Sequence, residues 1–134
     1  MNTKLITNLG LFGIMFGAMT SFGLITQQFE WVGWMLYLVI AVLLINRQKS
    51  DKKIMDGALA GFIFAALFYT MQTLLLSSYL QCHPEYEVEI IALSKDISPA
   101  SFMIFSGMIV SALYAIAVGL CVLGWAKFVK KPTK

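Results

Sequence analysis

The residues best suited to chemistry lie in one short stretch, QCHPEYEVE, which begins at Gln81. It places the chain's only histidine beside one of its two cysteines and follows them with alternating glutamates. These residues are Cys82, His83, Glu85, Glu87 and Glu89. Thiolate, imidazole and carboxylate groups all bind zinc, but adjacent ligands with a surface carboxylate rarely close a tetrahedral site without a fourth partner. We therefore favour a solvated acidic turn over a metal site.

Motifs of known chemistry are missing from the rest of the sequence. There is no HExxH, CxxC, GxSxG or GxxxxGK[ST] pattern, and a single histidine excludes bis-histidine haem ligation within one chain. Cys82 and Cys121 fall near opposite ends of two predicted helices, roughly 25 to 30 Å apart, so they cannot pair. We expect Cys82 to be a free thiol and Cys121 a small buried apolar residue. From the sequence we expect a protein that binds no cofactor and no metal ion and that is not an enzyme.

Composition indicates what must position these residues. Of 134 residues, 59% are hydrophobic and only 13% charged, whereas about 25% are charged in soluble proteins. Three uncharged stretches exceed the roughly 20 residues that span a bilayer, and the stretch 31–46 is shorter, about 24 Å as a helix. The segment around Lys4 could imitate a signal peptide, but we expect it to be retained as the first membrane helix. The predicted fold is all-α, a single bundle of four transmembrane helices at about 5–25, 31–45, 55–80 and 99–126.

Charge predicts the orientation of this bundle. With both termini in the cytoplasm, every one of the ten basic residues except Lys95 lies inside, as the positive-inside rule requires. The inner set is Lys4, Arg47, Lys49, Lys52, Lys53, Lys127, Lys130, Lys131 and Lys134. The outer acidic set is Glu30, Glu85, Glu87, Glu89 and Asp96. We expect a multi-pass protein of a cell inner membrane whose basic ends contact anionic lipids rather than nucleic acid.

Small residues recur at four-residue spacing on three of the predicted helices. Helices in lipid associate where such residues let their backbones approach, so these helices should pack tightly and the second should be more exposed to lipid. The predicted packing residues are Gly13, Gly17 and Ser21, then Gly57, Gly61 and Ala65, then Gly107, Ser111 and Ala115.

Polar residues within the spans need partners. Gln72 shares the face of Gly61 and Ala65, and its amide in hydrocarbon requires a neighbouring helix or a cavity. We expect an interhelical hydrogen bond, with Tyr114 as a plausible partner, and keep contact with a solute or ion as the alternative. No charged residue or histidine lies near the middle of a span, which disfavours an ion-coupled pump.

The outer loop 82–98 has a partly helical pattern. Pro84 suits a first helical position, and Tyr86, Ile90, Leu93 and Ile97 recur at helical spacing. A strand through YEVEI is the alternative, since Tyr86, Val88 and Ile90 also alternate with glutamates. We favour a short helix on the outer surface.

Three segments resemble small bacterial membrane proteins of an uncharacterised four-helix family. They are GLFGIMFGAM, DGALAGFIFAALFY and HPEYE. The resemblance implies the four-helix fold and implies no activity or site residue.

Three classes of function follow from the sequence. We favour a non-enzymatic helix-packing or accessory protein that associates with itself or with a larger membrane complex through its glycine faces. The alternative is an oligomeric permease or channel for a small solute or lipid, with Gln72, Tyr114 and Ser111 along the pathway. A third possibility is an enzyme acting on lipid at the outer face through His83 and the glutamates.

Overall fold

The computed structural model describes residues 2–93 and 97–129, and this part of the chain is helical without strands. Its six helices are α1 Thr3–Ser21, α2 Gln27–Arg47, α3 Lys53–Leu74, α4 Leu76–Cys82, α5 Pro84–Leu93 and α6 Pro99–Val129. The predicted all-α class is confirmed for the described residues. The predicted short helix in the outer loop is also confirmed, because the segment YEVEI lies in α5 and is not a strand. Lys95, Asp96, Lys130, Lys131 and Lys134, which the orientation argument used, lie outside the described residues.

Within the described residues, three helices are long and apolar enough to cross a membrane. They are Gln28–Arg47 of α2, Lys53–Leu74 of α3 and Pro99–Phe128 of α6. The second helix is therefore longer than the predicted 31–45, because it continues through Glu30 and Arg47, which the sequence argument had treated as outer limits. The 19 residues of α1 are not among the three spans.

Helix α1 ends earlier than the predicted residue 25. Asn2 caps its start by accepting a hydrogen bond from the amide of Leu5 at 3.1 Å. At the other end Gly23 adopts a positive φ of 69°, and the Leu24 amide bonds back to Met19 O at 2.9 Å. A glycine in this conformation commonly terminates a helix, and here it turns the chain towards α2.

The predicted helix 55–80 is divided at Leu75 into α3 and α4. The Leu75 amide bonds to Met71 O at 2.9 Å, and the Tyr79 amide bonds to Leu75 O at 2.8 Å, so Leu75 is hydrogen-bonded to both helices. Just before this division the Thr73 hydroxyl donates to the carbonyl of Tyr69 at 2.8 Å. Such back-bonding by threonine bends helices, which gives the division a local cause.

Helix α3 is the centre of the bundle and packs along both α1 and α6. Towards α1 it meets Gly13 and Gly17. A Cβ added at Gly17 would lie 2.7 Å from the carbonyl oxygen of Phe68, and one added at Gly13 would collide with the carbonyl of Phe64. These glycines therefore bring the two helix backbones into direct contact. Ser21, one turn on, is fully buried and donates its hydroxyl to Gly17 O at 2.7 Å.

Helix α3 also packs against α6, where its own glycines face valine side chains rather than backbone. A Cβ added at Gly57 or at Gly61 would lie 2.8 Å from a methyl group of Val122 or Val118, respectively. The glycine face of α1 is thus covered by α3, and the glycine face of α3 is covered by α6, within the same chain.

The remaining predicted packing residues lie along the same interfaces. Gly107 of α6 faces Tyr69, whose Cβ would be 2.7 Å from an added methyl group. Ala65 and Ser111 are buried, and Ala115 is half-buried. Cys121, in contrast, is exposed on the side of α6, so the expectation that it is buried was wrong: the small face of α6 that meets α3 passes through Val118 and Val122 instead.

Aromatic rings join α2 to the α1–α3–α6 layer. Phe64 is 1% exposed and its ring stacks on Tyr37 with 3.7 Å between centroids. The Trp34 ring meets Phe64 edge-on at 5.1 Å and Tyr114 edge-on at 4.7 Å. Edge-to-face and stacked rings at these distances add to the energy of burial alone. This cluster positions the middle of α2 against α3.

Candidate functional site

The outer-loop residues singled out from the sequence do not form one site. Cys82, Glu85, Glu87 and Glu89 are exposed, whereas His83 is only 2% exposed. Among the residues that the structure describes, no group of three or more histidine, cysteine, aspartate or glutamate side chains could hold a metal ion. The five residues therefore separate into a buried ring and a set of surface groups.

His83 was expected at the membrane surface rather than in a buried position, and that expectation was wrong. Its ring stacks on Tyr79 at 4.6 Å and lies 6.3 Å from Tyr86. The cause is the turn into α5: Pro84 begins a new helix directly after the end of α4, and the imidazole lies back over the last turn. Nδ1 is 3.0 Å from Tyr79 O, while the buried Nε2 has no hydrogen-bond partner.

Gln72 lies where α1, α2 and α3 meet, and it is 2% exposed. Its Nε2 donates to Thr20 Oγ1 at 3.4 Å and to Glu30 Oε1 at 3.5 Å, both long hydrogen bonds. The suggested partner Tyr114 is engaged elsewhere, because its hydroxyl donates to the backbone carbonyl of Trp34 at 2.5 Å. Each of the two polar side chains therefore has an interhelical partner, but they do not bond to each other.

A partly open cavity of about 190 Å³ lies beside Gln72, under α5. We call it the α5-end cavity, because it lies at the end of the bundle where α5 connects α4 to α6. Its polar lining residues are Glu30, Tyr69, Gln72, Tyr79, Tyr86, Glu89 and Ser106. Its apolar lining residues are Trp34, Phe68, Ile90, Leu93, Phe102 and Met103. All five helices from α2 to α6 contribute to it.

The ionisable carboxyl groups that line the α5-end cavity belong to two glutamates. Glu30 is in the first turn of α2 and half-buried, whereas Glu89 on α5 is exposed. No lysine or arginine is among the described lining residues. The described lining of the cavity is therefore acidic rather than basic.

Aromatic rings form the deep wall of the cavity. The centroid of Trp34 is 5.0 Å from that of Phe68 and 6.3 Å from that of Tyr69. Phe68 and Tyr69 are themselves 5.4 Å apart in an edge-on arrangement. The three rings therefore pack against one another along this wall.

Two other spaces in the bundle offer less for recognition. A groove of about 350 Å³ between α1 and α2 is walled by hydrocarbon apart from Tyr37, whose hydroxyl donates to Ala60 O at 2.9 Å. A second groove, of about 370 Å³, lies between α3 and α6 and includes Ser111. The Ser111 hydroxyl is bonded to Gly107 O at 2.6 Å. The three residues suggested for a solute pathway therefore do not line one common space.

Glu30 is the lining residue that the sequence argument overlooked most clearly. It is the only charged residue between Leu5 and Asn46, and it was counted among the charges outside the membrane. Its isolation between two apolar segments could have marked it as buried and functional. Tyr69, Tyr79 and Tyr86 gave no such signal, since tyrosines are common near membrane surfaces.

Comparisons with protein-family models, with curated proteins and with solved structures found no match. The resemblance to small four-helix membrane proteins stays a prediction, and function has to be argued from the geometry of the α5-end cavity.

Proposed function

We propose that this chain is a four-helix integral membrane protein that binds a small polar solute in the α5-end cavity. The observation that carries the proposal is the cavity itself, about 190 Å³ of space with two carboxylates, an amide and three tyrosines in its wall. Binding sites combine apolar walls with a few convergent polar groups. Buried carboxyl and amide groups are costly inside a membrane protein and usually mark a ligand pathway.

Helix α1 is the proposed fourth span. It packs on α3 over its length, and Asn2 at its start donates to Gln48 Oε1 at 2.9 Å, beside the end of α2. Its 19 residues rise about 28 Å, close to the roughly 30 Å of a bilayer core. A helix of that length beside a spanning partner is most simply a span itself.

Charge supports the proposed orientation, with the α5-end cavity facing outwards from a cell inner membrane. The described basic residues lie at the other end of the bundle, which we call the basic end. They are Lys4, Arg47, Lys49, Lys52, Lys53 and Lys127. Short loops rich in lysine and arginine stay in the cytoplasm, where anionic lipids attract them.

The favoured expectation from the sequence, an accessory subunit or homo-oligomer that associates through glycine faces, receives less support. Gly13 and Gly17 pack on α3, and Gly57 and Gly61 pack on α6, all within one chain. These faces are not open to a partner, so an accessory role would need another surface. The lipid-enzyme alternative needs His83 at the outer face, but that ring is buried. We therefore place solute binding first and propose no catalysis.

A single-tryptophan protein tests the proposal. Trp31 and Trp125 are exposed, so Trp31→Phe with Trp125→Phe leaves Trp34 in the cavity wall as the only tryptophan. The protein in lipid nanodiscs is titrated with a panel of small cationic, neutral and anionic solutes while Trp34 emission is recorded. We expect a saturable change with at least one of them.

A filled cavity provides the control. Ser106→Phe on α6 places a ring in the cavity and should abolish the change, whereas Ala112→Phe on an exposed face of the same helix should preserve it. Thermal unfolding of both variants verifies that they are folded. The proposal is wrong if no solute of the panel changes Trp34 emission saturably, or if folded Ser106→Phe protein responds like the Ala112→Phe protein.

A further inference from the structure

We propose that the solute is a small organic cation, an alkylated ammonium, held between the Glu30 carboxylate and the aromatic wall of the α5-end cavity. This inference rests on the proposed function, since it names the chemical class of what the cavity binds. It is carried by three features of the cavity: the sign of its charges, the rings that line it, and its size.

The acidic lining of the cavity disfavours anions, and the Glu30 carboxyl in it is held by a long hydrogen bond. Glu30 is half-buried in the bundle, and its hydrogen bond from Gln72 is long, at 3.5 Å. Glu89 adds a second negative charge to the lining, and no described lining residue is a lysine or arginine. A buried carboxylate is costly unless it is paired. A bound cation supplies the missing charge, whereas an anion would meet two carboxylates.

The rings favour a cation that carries alkyl groups. Six of the lining residues are aromatic: Trp34, Phe68, Tyr69, Tyr79, Tyr86 and Phe102. The negative face of an aromatic ring attracts a cation, best with tryptophan, and groups of such rings recognise methylated ammonium in proteins. An alkylated ammonium also has few hydrogen bonds to satisfy, which suits a wall with six aromatic residues.

The size of the cavity limits the ligand to a few heavy atoms. Its volume of about 190 Å³ is below the roughly 300 to 1,000 Å³ of pockets that bind drug-sized ligands. A bare metal ion is disfavoured, because the described residues contain no group of three side chains that could hold one. A compact organic cation fits both limits.

Choline and its uncharged isostere, 3,3-dimethylbutan-1-ol, test the inference directly. Both have the same shape, so any difference in affinity reports on the positive charge alone. In the protein whose only tryptophan is Trp34, we expect choline to bind with a dissociation constant about fivefold to thirtyfold lower than that of the alcohol, since a desolvated cation on aromatic rings gains roughly 1 to 2 kcal/mol. This comparison requires no change at Glu30 and so does not depend on the folding of a site variant.

A matched pair of variants then locates the charge. Glu30→Gln removes the lining carboxylate and should weaken choline binding at least about tenfold, while leaving the affinity for the alcohol nearly unchanged. Glu87→Gln removes the same charge from an exposed position of α5 that does not line the cavity, and it should leave both affinities unchanged.

The outcomes separate this inference from the proposed function. Equal affinities for choline and the alcohol, or binding of neutral or anionic solutes with none of choline, would overturn the cation and leave solute binding intact. Equal weakening by Glu30→Gln and Glu87→Gln would also overturn it, since a general surface field would then explain the attraction. If no solute of any charge binds, both the inference and the proposed function fail.

Discussion

At the scale of single residues, Gln72 connects the helices that build the cavity. Its amide donates to Thr20 of α1 and Glu30 of α2 from a position on α3 that is 2% exposed. We predict that Gln72→Leu lowers the free energy of unfolding by about 1 to 2 kcal/mol, because interhelical hydrogen bonds in membranes contribute about 1 kcal/mol and Glu30 would lose its donor. Reversible unfolding in mixed detergent micelles measures this.

Gln81 provides the matched control for that substitution. It lies one helix further along, on α4, and is exposed, so Gln81→Leu removes the same amide without removing an interhelical bond. An equal loss of stability in the two variants would contradict the assignment of Gln72 as a connecting residue.

The candidate site also shows what residue types alone can predict. The need of Gln72 for a partner followed from its amide and its position in an apolar segment. The identity of the partners did not, because Thr20 and Glu30 lie 52 and 42 positions away along the chain and only the packing of three helices brings them together. His83 was misplaced for a related reason: its surroundings depend on how sharply the chain turns at Pro84.

At the scale of helices, the glycine faces decide how closely α1 and α3 approach. We predict that Gly13→Ala destabilises the protein by about 1 to 3 kcal/mol, since the added methyl group meets the backbone of Phe64, which cannot move aside as a side chain can. Thermal unfolding in detergent measures the change.

Gly124 is the control for this substitution. A Cβ at Gly124 has nothing within 4 Å, so Gly124→Ala should be neutral or should stabilise α6 by up to about 1 kcal/mol through its helix propensity. Stability that falls equally in both variants would show that the close approach of α1 and α3 does not determine the effect.

Long helices were predictable because uncharged stretches of spanning length leave few alternatives in a membrane. The ends of these helices were not predictable in the same way, because the prediction placed the helix ends at charged residues. Helix α2 includes Glu30, whose side chain faces the cavity, and α3 ends at Leu74 within an apolar stretch. Glycine spacing predicted close packing but could not say which helices meet, because α3 uses one face for α1 and another for α6.

At the scale of the whole molecule, the described lysines and arginine lie at one end of the bundle, together with Asp51 and Asp56, and the described glutamates lie towards the α5 end. The positive-inside rule places the lysine-rich loop in the cytoplasm. The α5-end cavity lies at the other end of the bundle and would therefore open to the outside, so a test of the orientation also tests the position of the cavity. Cys82 and Lys49 lie at the two ends, and both are exposed. They offer a direct measurement of orientation.

We predict that a membrane-impermeant maleimide labels Cys82 in intact spheroplasts carrying the Cys121→Ser protein. A second protein carries Cys82→Ser, Cys121→Ser and Lys49→Cys. It should be labelled only after lysis, because in intact spheroplasts the α2–α3 loop faces the cytoplasm and the reagent cannot reach it. The reverse pattern would place the cavity inside and contradict the orientation. Labelling of both proteins in intact spheroplasts would contradict the spanning of α3, since that helix separates the two positions.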